Sequence, residues 1–383
     1  MARVIRQWWT ASDPSRLLQS EERLLSALVK HPFSKPTNKV GGLNCVEFNS
    51  NNQRYGQRSL PTVVLTHGFG SGLSFFYRNI DYLLNSGKVS RVICVDWLGM
   101  GGSDRPPCRE SPIRSIFSTS FCNSKFSPLS AIDFFLDPLD ELLCDDDMFY
   151  NGEPLWLVGH SLGGYLAAKY AMRINNQQHK PNLTKLILAS PVGFQPVPAS
   201  NERIASSNLP PAFRLVDALW SANITPQSLV RMMGSKRGMA VVKRALHGRI
   251  PHLQTTGTDE FESELDLLAA YLYHITVANP SGEYAMNSLL EPAASKDGAG
   301  VFARQPLGGG YLAQSISLSL KSIKVLYGDK DWVRFNENAA REEIQCIQSK
   351  YDDIRAGVHI IPEAGHHLYL DNSLSFGRHI LED

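Results

Sequence analysis

This sequence has no excess of charge of either sign and no long apolar run. Its 383 residues include 38 Lys and Arg against 37 Asp and Glu, a formal net charge of +1. Such a balance gives no electrostatic support for a nucleic-acid partner. No apolar stretch approaches the roughly 18 residues that a membrane-spanning helix needs, and the N-terminus lacks the apolar region of a secretory signal. We therefore expect a cytoplasmic location, with a mitochondrial address as the alternative because Arg3 and Arg6 precede the first acidic residue.

Cysteine is scarce, and its spacing argues against two kinds of site. The six cysteines are scattered, and no two have C-x-x-C spacing. This spacing disfavours both a zinc site and a disulfide framework, and it fits a reducing compartment. The glycine-rich segment 67–72 has neither of the glycine patterns that bind nucleotide phosphates. We therefore expect no metal and no organic cofactor.

One short segment indicates nucleophilic catalysis. Residues 159–163 follow the pattern G-x-S-x-G with Ser161 at the centre. An apolar run that predicts a strand precedes them, and a helical pattern rich in small residues follows. In that setting the pattern is typical of a nucleophile elbow, a strained turn that lifts the serine hydroxyl clear of the sheet. Larger side chains would collide in so tight a turn, so we expect glycine to be required at Gly159 and Gly163.

A catalytic serine needs an orienting acid and a base, which in this kind of fold follow it in that order. The next-to-last predicted strand ends in a turn that carries Asp329 and Asp331. We favour Asp331 as the acid, because the first carboxylate of such a turn is better placed to cap the turn's own backbone. The last predicted strand leads into a loop with His366 and His367. We favour His366 as the base.

The remaining component of such a site is an oxyanion hole. This fold builds it from the N–H after the nucleophile, here Leu162, and an N–H of the loop after an early strand, where Phe69 is the candidate. Other histidines have ordinary interpretations. We expect His160, inside the elbow, to pack or hydrogen-bond beside the nucleophile, and His359 to be a core or half-buried strand residue.

Strand and helix patterns alternate along most of the chain. This alternation predicts an α/β fold with a mostly parallel central sheet and helices on both faces. Residues 105–130 are polar with four prolines and predict a surface insertion loop. The helix predicted at 131–144 contains Pro138, which should kink or break it. The predicted strands are 63–66, 92–95, 155–158, 186–189, 323–327 and 358–361.

Residues 193–320 interrupt the alternation with mostly helical patterns, which predict a helical cap inserted before the acid-bearing strand. Within it, the segment 231–249 carries six cations and no acidic residue, among them Lys243 and Arg244. A solvated basic face is the ordinary interpretation, and attraction to anionic lipid headgroups or to a phosphate-bearing substrate is the alternative. The predicted division of the chain is an N-terminal segment 1–36, a first core part 37–192, the cap 193–320 and a second core part 321–383.

The N-terminal segment combines paired tryptophans with an amphipathic helix. Trp8 and Trp9 precede a helix start, and the helix has one apolar stripe with Glu21 placed off it. Such a helix either docks on its own domain or, with the tryptophan rings, sits at a lipid–water boundary. The two interpretations have equal support. The stripe consists of Leu17, Leu18, Leu24, Leu25, Leu28 and Val29.

Short motifs are spread over most of the chain. They are 20–25 (SEERLL), 67–70 (HGFG), 96–99 (DWLG), 159–165 (GHSLGGY), 221–226 (SANITP), 271–274 (YLYH), 302–307 (FARQPL), 327–332 (YGDKDW) and 365–372 (GHHLYLDN). Together with the Trp-rich start they resemble the abhydrolase-domain four/five subfamily of the α/β-hydrolase superfamily. That group includes the lipid-droplet lipase coactivator, the N-acylphosphatidylethanolamine lysophospholipase and plant relatives. The elbow is common to the superfamily, whereas the cap motifs and the start are more specific.

The resemblance implies the α/β-hydrolase fold and activity on glycerophospholipids or lysophospholipids at a membrane or lipid-droplet surface. The coactivator branch has lost its elbow serine, whereas this chain keeps Ser161. We therefore predict a serine carboxylic-ester hydrolase with Ser161, Asp331 and His366 as its triad, and we keep a non-enzymatic lipase coactivator as an alternative.

The other alternative is an acyltransferase. His366 and Asp371 match the H-x4-D pattern that is associated in this family with transfer of an acyl group from acyl-CoA to lysophosphatidic acid. We place it second on mechanistic grounds, since His366 is already the triad base. Asp371 suits the N-cap of a last helix.

Overall fold

The computed structural model describes residues 13–50, 60–106, 127–149, 152–176, 181–204, 208–222, 224–257, 262–295 and 298–382. Four residues singled out above, Arg3, Arg6, Trp8 and Trp9, lie outside these ranges, as does most of the predicted insertion 105–130. No helix in the described ranges is long and apolar enough to cross a membrane.

The strands of the described residues form two sheets. They are β1 (Phe33–Ser34), β2 (Cys45–Asn49), β3 (Thr62–Thr66), β4 (Arg91–Val95), β5 (Pro154–His160), β6 (Asn182–Ala189), β7 (Leu290–Ser295), β8 (Gly298–Ala303), β9 (Ser322–Gly328) and β10 (Arg355–Ile361). The main sheet has eight strands in the order β1-β2-β4-β3-β5-β6-β9-β10. β2 pairs antiparallel with β1 and β4, and the other neighbours are parallel. β7 and β8 form a separate antiparallel pair.

Helices cover both faces of the main sheet. The α-helices are α1 (Pro14–Leu28), α2 (Tyr77–Asn85), α3 (Pro128–Leu143), α4 (Leu162–Arg173), α5 (Pro211–Ser221), α6 (Pro226–Met232), α7 (Gly234–Arg249), α8 (Glu264–Val277), α9 (Gly282–Leu289), α10 (Tyr311–Ser315), α11 (Glu337–Lys350), α12 (Leu368–Asp371) and α13 (Ser373–Leu381). Short 3-10 helices lie at Val40–Gly42, Leu73–Phe76, Ile174–Asn176 and Trp332–Asn336.

The central strands are buried on both faces, which explains their continuous apolar runs. In β3, Val64 packs into the core shared with α3, α4 and α11, whereas Val63 and Leu65 pack into the core shared with α1, α2 and α13. Successive strand residues point to opposite faces, so one strand supplies both cores. The predicted α/β architecture, with a mostly parallel sheet between two helical layers, is confirmed.

The N-terminal helix α1 docks on the chain's own domain, and one prediction about it is wrong. Leu17, Leu24 and Leu25 are buried, as the apolar stripe predicts. Glu21, which was expected off the stripe, is fully buried as well. Positions three and four residues apart lie on one helix face, so Glu21 shares the face of these leucines. Its polar partners come from distant parts of the chain, which periodicity alone does not show.

The helix that contains Pro138 begins earlier than predicted. α3 begins at Pro128, with Ser127 as its N-cap: the Ser127 hydroxyl accepts a hydrogen bond from Ser130 N at 3.0 Å. The helix continues through Pro138 to Leu143 without a break. Residues 128–130 therefore belong to this helix and not to the insertion loop.

The region between β6 and β9 holds α5 to α10, as the helical patterns predict, and also the hairpin β7–β8, which they do not. The hairpin contains Pro292 and Gly300, residue types that are depleted in strands, and few β-branched side chains. Its pairing is therefore decided by tertiary contacts: β8, for example, packs its Phe302 on Phe335 beyond β9, with ring centroids 5.2 Å apart.

Candidate active site

The turn between β5 and α4 places Ser161 at the carboxyl edge of the sheet. Ser161 has φ 54° and ψ −116°, a backbone conformation that L-residues seldom adopt. A Cβ at Gly159 would lie 2.3 Å from the carbonyl oxygen of Gly163, and one at Gly163 would lie 2.4 Å from that of His67. Only glycine fits at these two positions, so the strained turn depends on both.

Three side chains from separate strand ends meet at this turn. His366, in the loop after β10, has its Nε2 3.0 Å from Ser161 Oγ. Its Nδ1–H donates to Asp331 Oδ1 at 2.9 Å, and Asp331 follows β9. The same Oδ1 accepts the backbone N–H of Val333 at 3.0 Å. With its proton on Nδ1 and directed at the carboxylate, the ring leaves Nε2 free to accept the serine proton, which is the arrangement that activates a serine.

The neighbouring candidates have other partners. Asp329 Oδ1 accepts Ala364 N at 2.9 Å, and the pKa of Asp329 is lowered chiefly by that bond. His367 is buried and bonds Tyr369 Oη through Nδ1 at 3.0 Å. Burial holds the pKa of His367 well below its ordinary value, so its ring is neutral. The structure thus brings Asp331 and His366, and neither of their neighbours, to the serine.

The elbow histidine has a role that the sequence indicated only loosely. His160 Nε2–H donates to the backbone carbonyl of His366 at 2.8 Å. Burial, followed by the nearby charge of His366, lowers the pKa of His160 well below its ordinary value, so the ring is neutral. His160 therefore fixes the backbone of the base. His359, by contrast, is half-buried in β10, as expected.

The two oxyanion candidates belong to segments next to Ser161. Leu162 is the first residue of α4, where a backbone N–H has no acceptor within the helix. Phe69 lies in the segment from His67 to Leu73, here called the oxyanion loop. This loop runs close to the nucleophile, since a Cβ at Gly68 would lie 2.9 Å from Ser161 Cβ. The first N–H of α4 and the loop that carries Phe69 thus both lie next to Ser161.

Asp371 supports the histidine loop and does not cap the last helix. Its Oδ2 accepts Gly365 N at 2.8 Å, directly before His366. The N-cap of α13 is Asn372, whose Oδ1 accepts Ser375 N at 3.1 Å. The expectation that Asp371 is the N-cap is wrong, because that role falls to the next residue.

The ring of Trp332 lies against the ring of His366, a feature that sequence reasoning missed. Trp332 and His366 have ring centroids 5.1 Å apart, and the indole is more than half exposed. Its position directly after Asp331 was the available signal, since a residue beside the acid must lie near the base.

The basic segment 231–249 is less free than its composition suggests. Arg231 is buried and forms two bonds to the carboxylate of Glu283, at 2.8 and 2.7 Å. Lys243 is partly exposed and pairs with Asp266. Two of the six cations are thus paired with acids, which come from α8 and α9 and not from the segment itself.

Among the residues that the structure describes, no group of three or more His, Cys, Asp or Glu side chains could hold a metal ion.

Comparisons with known proteins agree with this fold. A family model described as "Alpha/beta hydrolase family" matches residues 63–374. A 1-acylglycerol-3-phosphate O-acyltransferase of Arabidopsis thaliana is 31% identical over 97% of this chain and 81% of its own length. A (lyso)-N-acylphosphatidylethanolamine lipase of Homo sapiens is 27% identical over 82% of this chain and 76% of its own. A laboratory-evolved variant of potato epoxide hydrolase has a TM-score of 0.54 at 18% identity, over 91% of this chain and 98% of that one, which concerns the fold alone.

Proposed function

This chain belongs to the alpha/beta hydrolase family, and on that premise we propose that it is a serine carboxylic-ester hydrolase of glycerophospholipids or lysophospholipids. The observation that carries the proposal is the chain of contacts from Ser161 through His366 to Asp331, with distances of 3.0 and 2.9 Å. The family includes many chemistries, so the reaction is argued from these side chains and not from the fold.

The reaction proceeds in two halves. Ser161 Oγ attacks the ester carbonyl carbon while His366 Nε2 takes the hydroxyl proton, and the N–H groups of Phe69 and Leu162 stabilise the oxyanion. The tetrahedral intermediate collapses as the C–O bond breaks, and His366 returns the proton to the leaving glycerol oxygen. Water then attacks the acyl-enzyme, with His366 again as base, which releases the fatty acid and restores Ser161. Asp331 holds the imidazole in the required tautomer and stabilises its positive form.

Lipid as the substrate class is supported by the relatives. The human relative is named as a lipase of (lyso)-N-acylphosphatidylethanolamine, and the plant relative as an acyltransferase on 1-acylglycerol-3-phosphate. Both names describe glycerophospholipids that carry one or more acyl esters. An acyl-serine intermediate at Ser161 is compatible with either substrate.

Acyl transfer is the second candidate, favoured by the Arabidopsis relative and by the H-x4-D spacing of His366 and Asp371 in the sequence. Asp371 bonds Gly365 N and not the His366 ring. A transferase would therefore use the same acyl-enzyme, and an alcohol in place of water would take the acyl group. No separate acyltransfer machinery is needed.

Contact with a lipid surface is supported by the cap. Four large apolar side chains on α6, on α7 and on the residue between these helices are exposed: Leu229, Met232, Met233 and Val241. Arg244 lies on α7 beside them in sequence. We propose peripheral association through this part of the cap and through the tryptophans of the N-terminal segment.

One experiment tests the reaction. The purified protein and its Ser161→Ala variant are incubated with a mixture of glycerophospholipids and lysophospholipids, with and without acyl-CoA, and the products are identified by mass spectrometry. Free fatty acid that depends on Ser161 supports the hydrolase. Newly acylated lysophosphatidic acid that depends on acyl-CoA supports the transferase. Lipid turnover that is equal in both proteins would contradict the proposal.

A further inference from the structure

A buried carboxyl of the N-terminal helix lies among groups from three parts of the fold. Glu21 on α1 is 0% exposed. Its Oε1 accepts Lys35 Nζ at 2.7 Å, and its Oε2 accepts Asn44 Nδ2 at 3.0 Å. The hydroxyl of Tyr271, on α8, donates to Oε2 at 3.4 Å. One carboxyl therefore joins the N-terminal helix, the antiparallel edge of the sheet and the cap.

Asn44 connects this carboxyl to a second one. Its Nδ2 also donates to Asp96 Oδ2 at 2.8 Å, and Asp96 is buried directly after β4. A side-chain amide nitrogen carries two hydrogens, so it can serve both carboxylates at once. Glu21 and Asp96 therefore fix the orientation of Asn44 between them.

Asp96 in turn holds one end of the oxyanion loop and lies close to the other. Its Oδ1 accepts the N–H of Leu73, the last residue of the loop, at 2.8 Å. The same oxygen lies 3.3 Å from Nε2 of His67, the first residue. Phe69 lies between these two ends. The position of its N–H therefore depends on where Asp96 sits.

The cap reaches the same loop through Tyr271. A Cβ at Gly72 would lie 2.4 Å from the Tyr271 hydroxyl oxygen, so the hydroxyl occupies the space that a side chain would need. The Tyr271 hydroxyl thus packs against Gly72 of the oxyanion loop and also donates a hydrogen bond to Glu21.

We propose that Glu21 is a positioning residue for catalysis, which in its ionised form holds the oxyanion loop in the active conformation through Asn44, Asp96 and Tyr271. The proposal rests on the ester hydrolysis proposed above. Glu21 does not touch the substrate, and it acts on the placement of the Phe69 N–H. Such donors work only when they are aimed at the oxygen that becomes negative, so a small displacement lowers the rate.

The charge of Glu21 changes in the range where such enzymes work. Burial raises the pKa of Glu21 to about 7, and the negative charge of Asp96 adds to this, while Lys35 opposes it. Burial also raises the pKa of Tyr271 and of two nearby thiols, so these groups stay neutral. The titratable groups around Glu21 are Lys35, Asp96, His67, Tyr271, Cys45 and Cys94.

Because the pKa of Glu21 is raised, a role in catalysis and a role in stability predict different effects of Glu21→Gln at pH 8. Folding raises the pKa of Glu21 from its ordinary value of 4.5 to about 7. Protonated Glu21 therefore makes its full contribution to the free energy of unfolding below pH 4.5. That contribution is lost as the pH rises through about 7. Glu21→Gln has no charge to bury, so at pH 8 it should be at least as stable as the wild type. It should nevertheless be slower.

The test compares the wild type, Glu21→Gln and the matched control Glu22→Gln, whose residue is the exposed neighbour on α1. kcat and KM for a soluble short-chain ester are measured from pH 6 to pH 8.5, together with thermal unfolding. At pH 8 Glu21→Gln should lower kcat about tenfold with little change in KM, less than the 10²- to 10³-fold that follows loss of an oxyanion donor. At pH 6 the wild type is itself protonated at position 21, so the two rates should converge.

Other outcomes overturn the proposal. A rate of Glu21→Gln equal to the wild type at every pH, or a deficit that is the same at pH 6 and pH 8, shows that Glu21 has no such role. A lower unfolding temperature at pH 8 that accounts for the lost rate shows the same. Failure of the ester hydrolysis itself has a different signature, since the wild type then shows no turnover that depends on Ser161.

Discussion

Replacement of Asp331 by asparagine tests the triad most directly. Asp331 Oδ1 accepts two bonds, from His366 Nδ1 and from Val333 N, at 2.9 and 3.0 Å. An asparagine that keeps its oxygen at this point preserves the geometry but has no charge to stabilise the imidazolium. One that turns its NH₂ group there presents a donor to Nδ1 and forces the other tautomer. Nε2 then carries a proton and cannot take the one from Ser161.

The size of the effect follows from both outcomes. Loss of the acid with intact geometry lowers kcat by about 10⁴ in a serine triad. At about 1.36 kcal/mol for each factor of ten, this is about 5.4 kcal/mol of transition-state stabilisation. The effect should fall on kcat, because Asp331 is buried behind His366 and does not contact substrate in this arrangement.

The assay compares Asp331→Asn with two neighbouring variants, using a soluble ester under saturating conditions. Asp329→Asn should lose far less activity, since Asp329 holds the N–H of Ala364 and not the base. His367→Ala should likewise retain most of it, because His367 bonds Tyr369. If Asp329→Asn were the slower of the two aspartate variants, the acid would be misassigned.

Three further predictions concern the nucleophile and the lipid surface. Ser161→Ala should abolish turnover and labelling by a fluorophosphonate while thermal unfolding stays unchanged; persistent labelling would exclude Ser161. Alanine at both Trp8 and Trp9 should reduce flotation with liposomes but preserve hydrolysis of a soluble ester, because indole rings favour the lipid–water boundary; equal flotation would place the contact elsewhere. Neutralising Arg244 should reduce the preference for anionic over zwitterionic vesicles more than neutralising Lys243, which Asp266 already offsets. That preference should fall as salt is added, since charges are screened over roughly 8 Å at physiological ionic strength; a rate equal on both vesicle types would favour a solvated face.

The order of the chemical groups along the chain could be predicted from the sequence. The strand–turn–helix pattern around Ser161 can be recognised from neighbouring residues alone, and so can the strands that precede Asp331 and His366. Parallel strands bring their carboxyl ends to one edge, so residues after such strands are expected to meet. The resemblance to a subfamily of the α/β-hydrolase superfamily was also readable from short motifs, and the family match over residues 63–374 agrees with it.

What the tertiary structure decided is how buried polar groups are satisfied. The sequence predicts Glu21 off the apolar stripe of α1, whereas in the structure it is buried and bonds Lys35, Asn44 and Tyr271, which come from three other segments. From the sequence, Arg231 belongs to a basic segment that is expected on the surface. In the structure it is buried, because Glu283 on another helix pairs with it. Hydrophobic periodicity reports which side of an element is apolar, whereas a buried charge persists only where distant groups supply its hydrogen bonds. Those groups meet only after the chain has folded, so local sequence patterns do not predict their pairing.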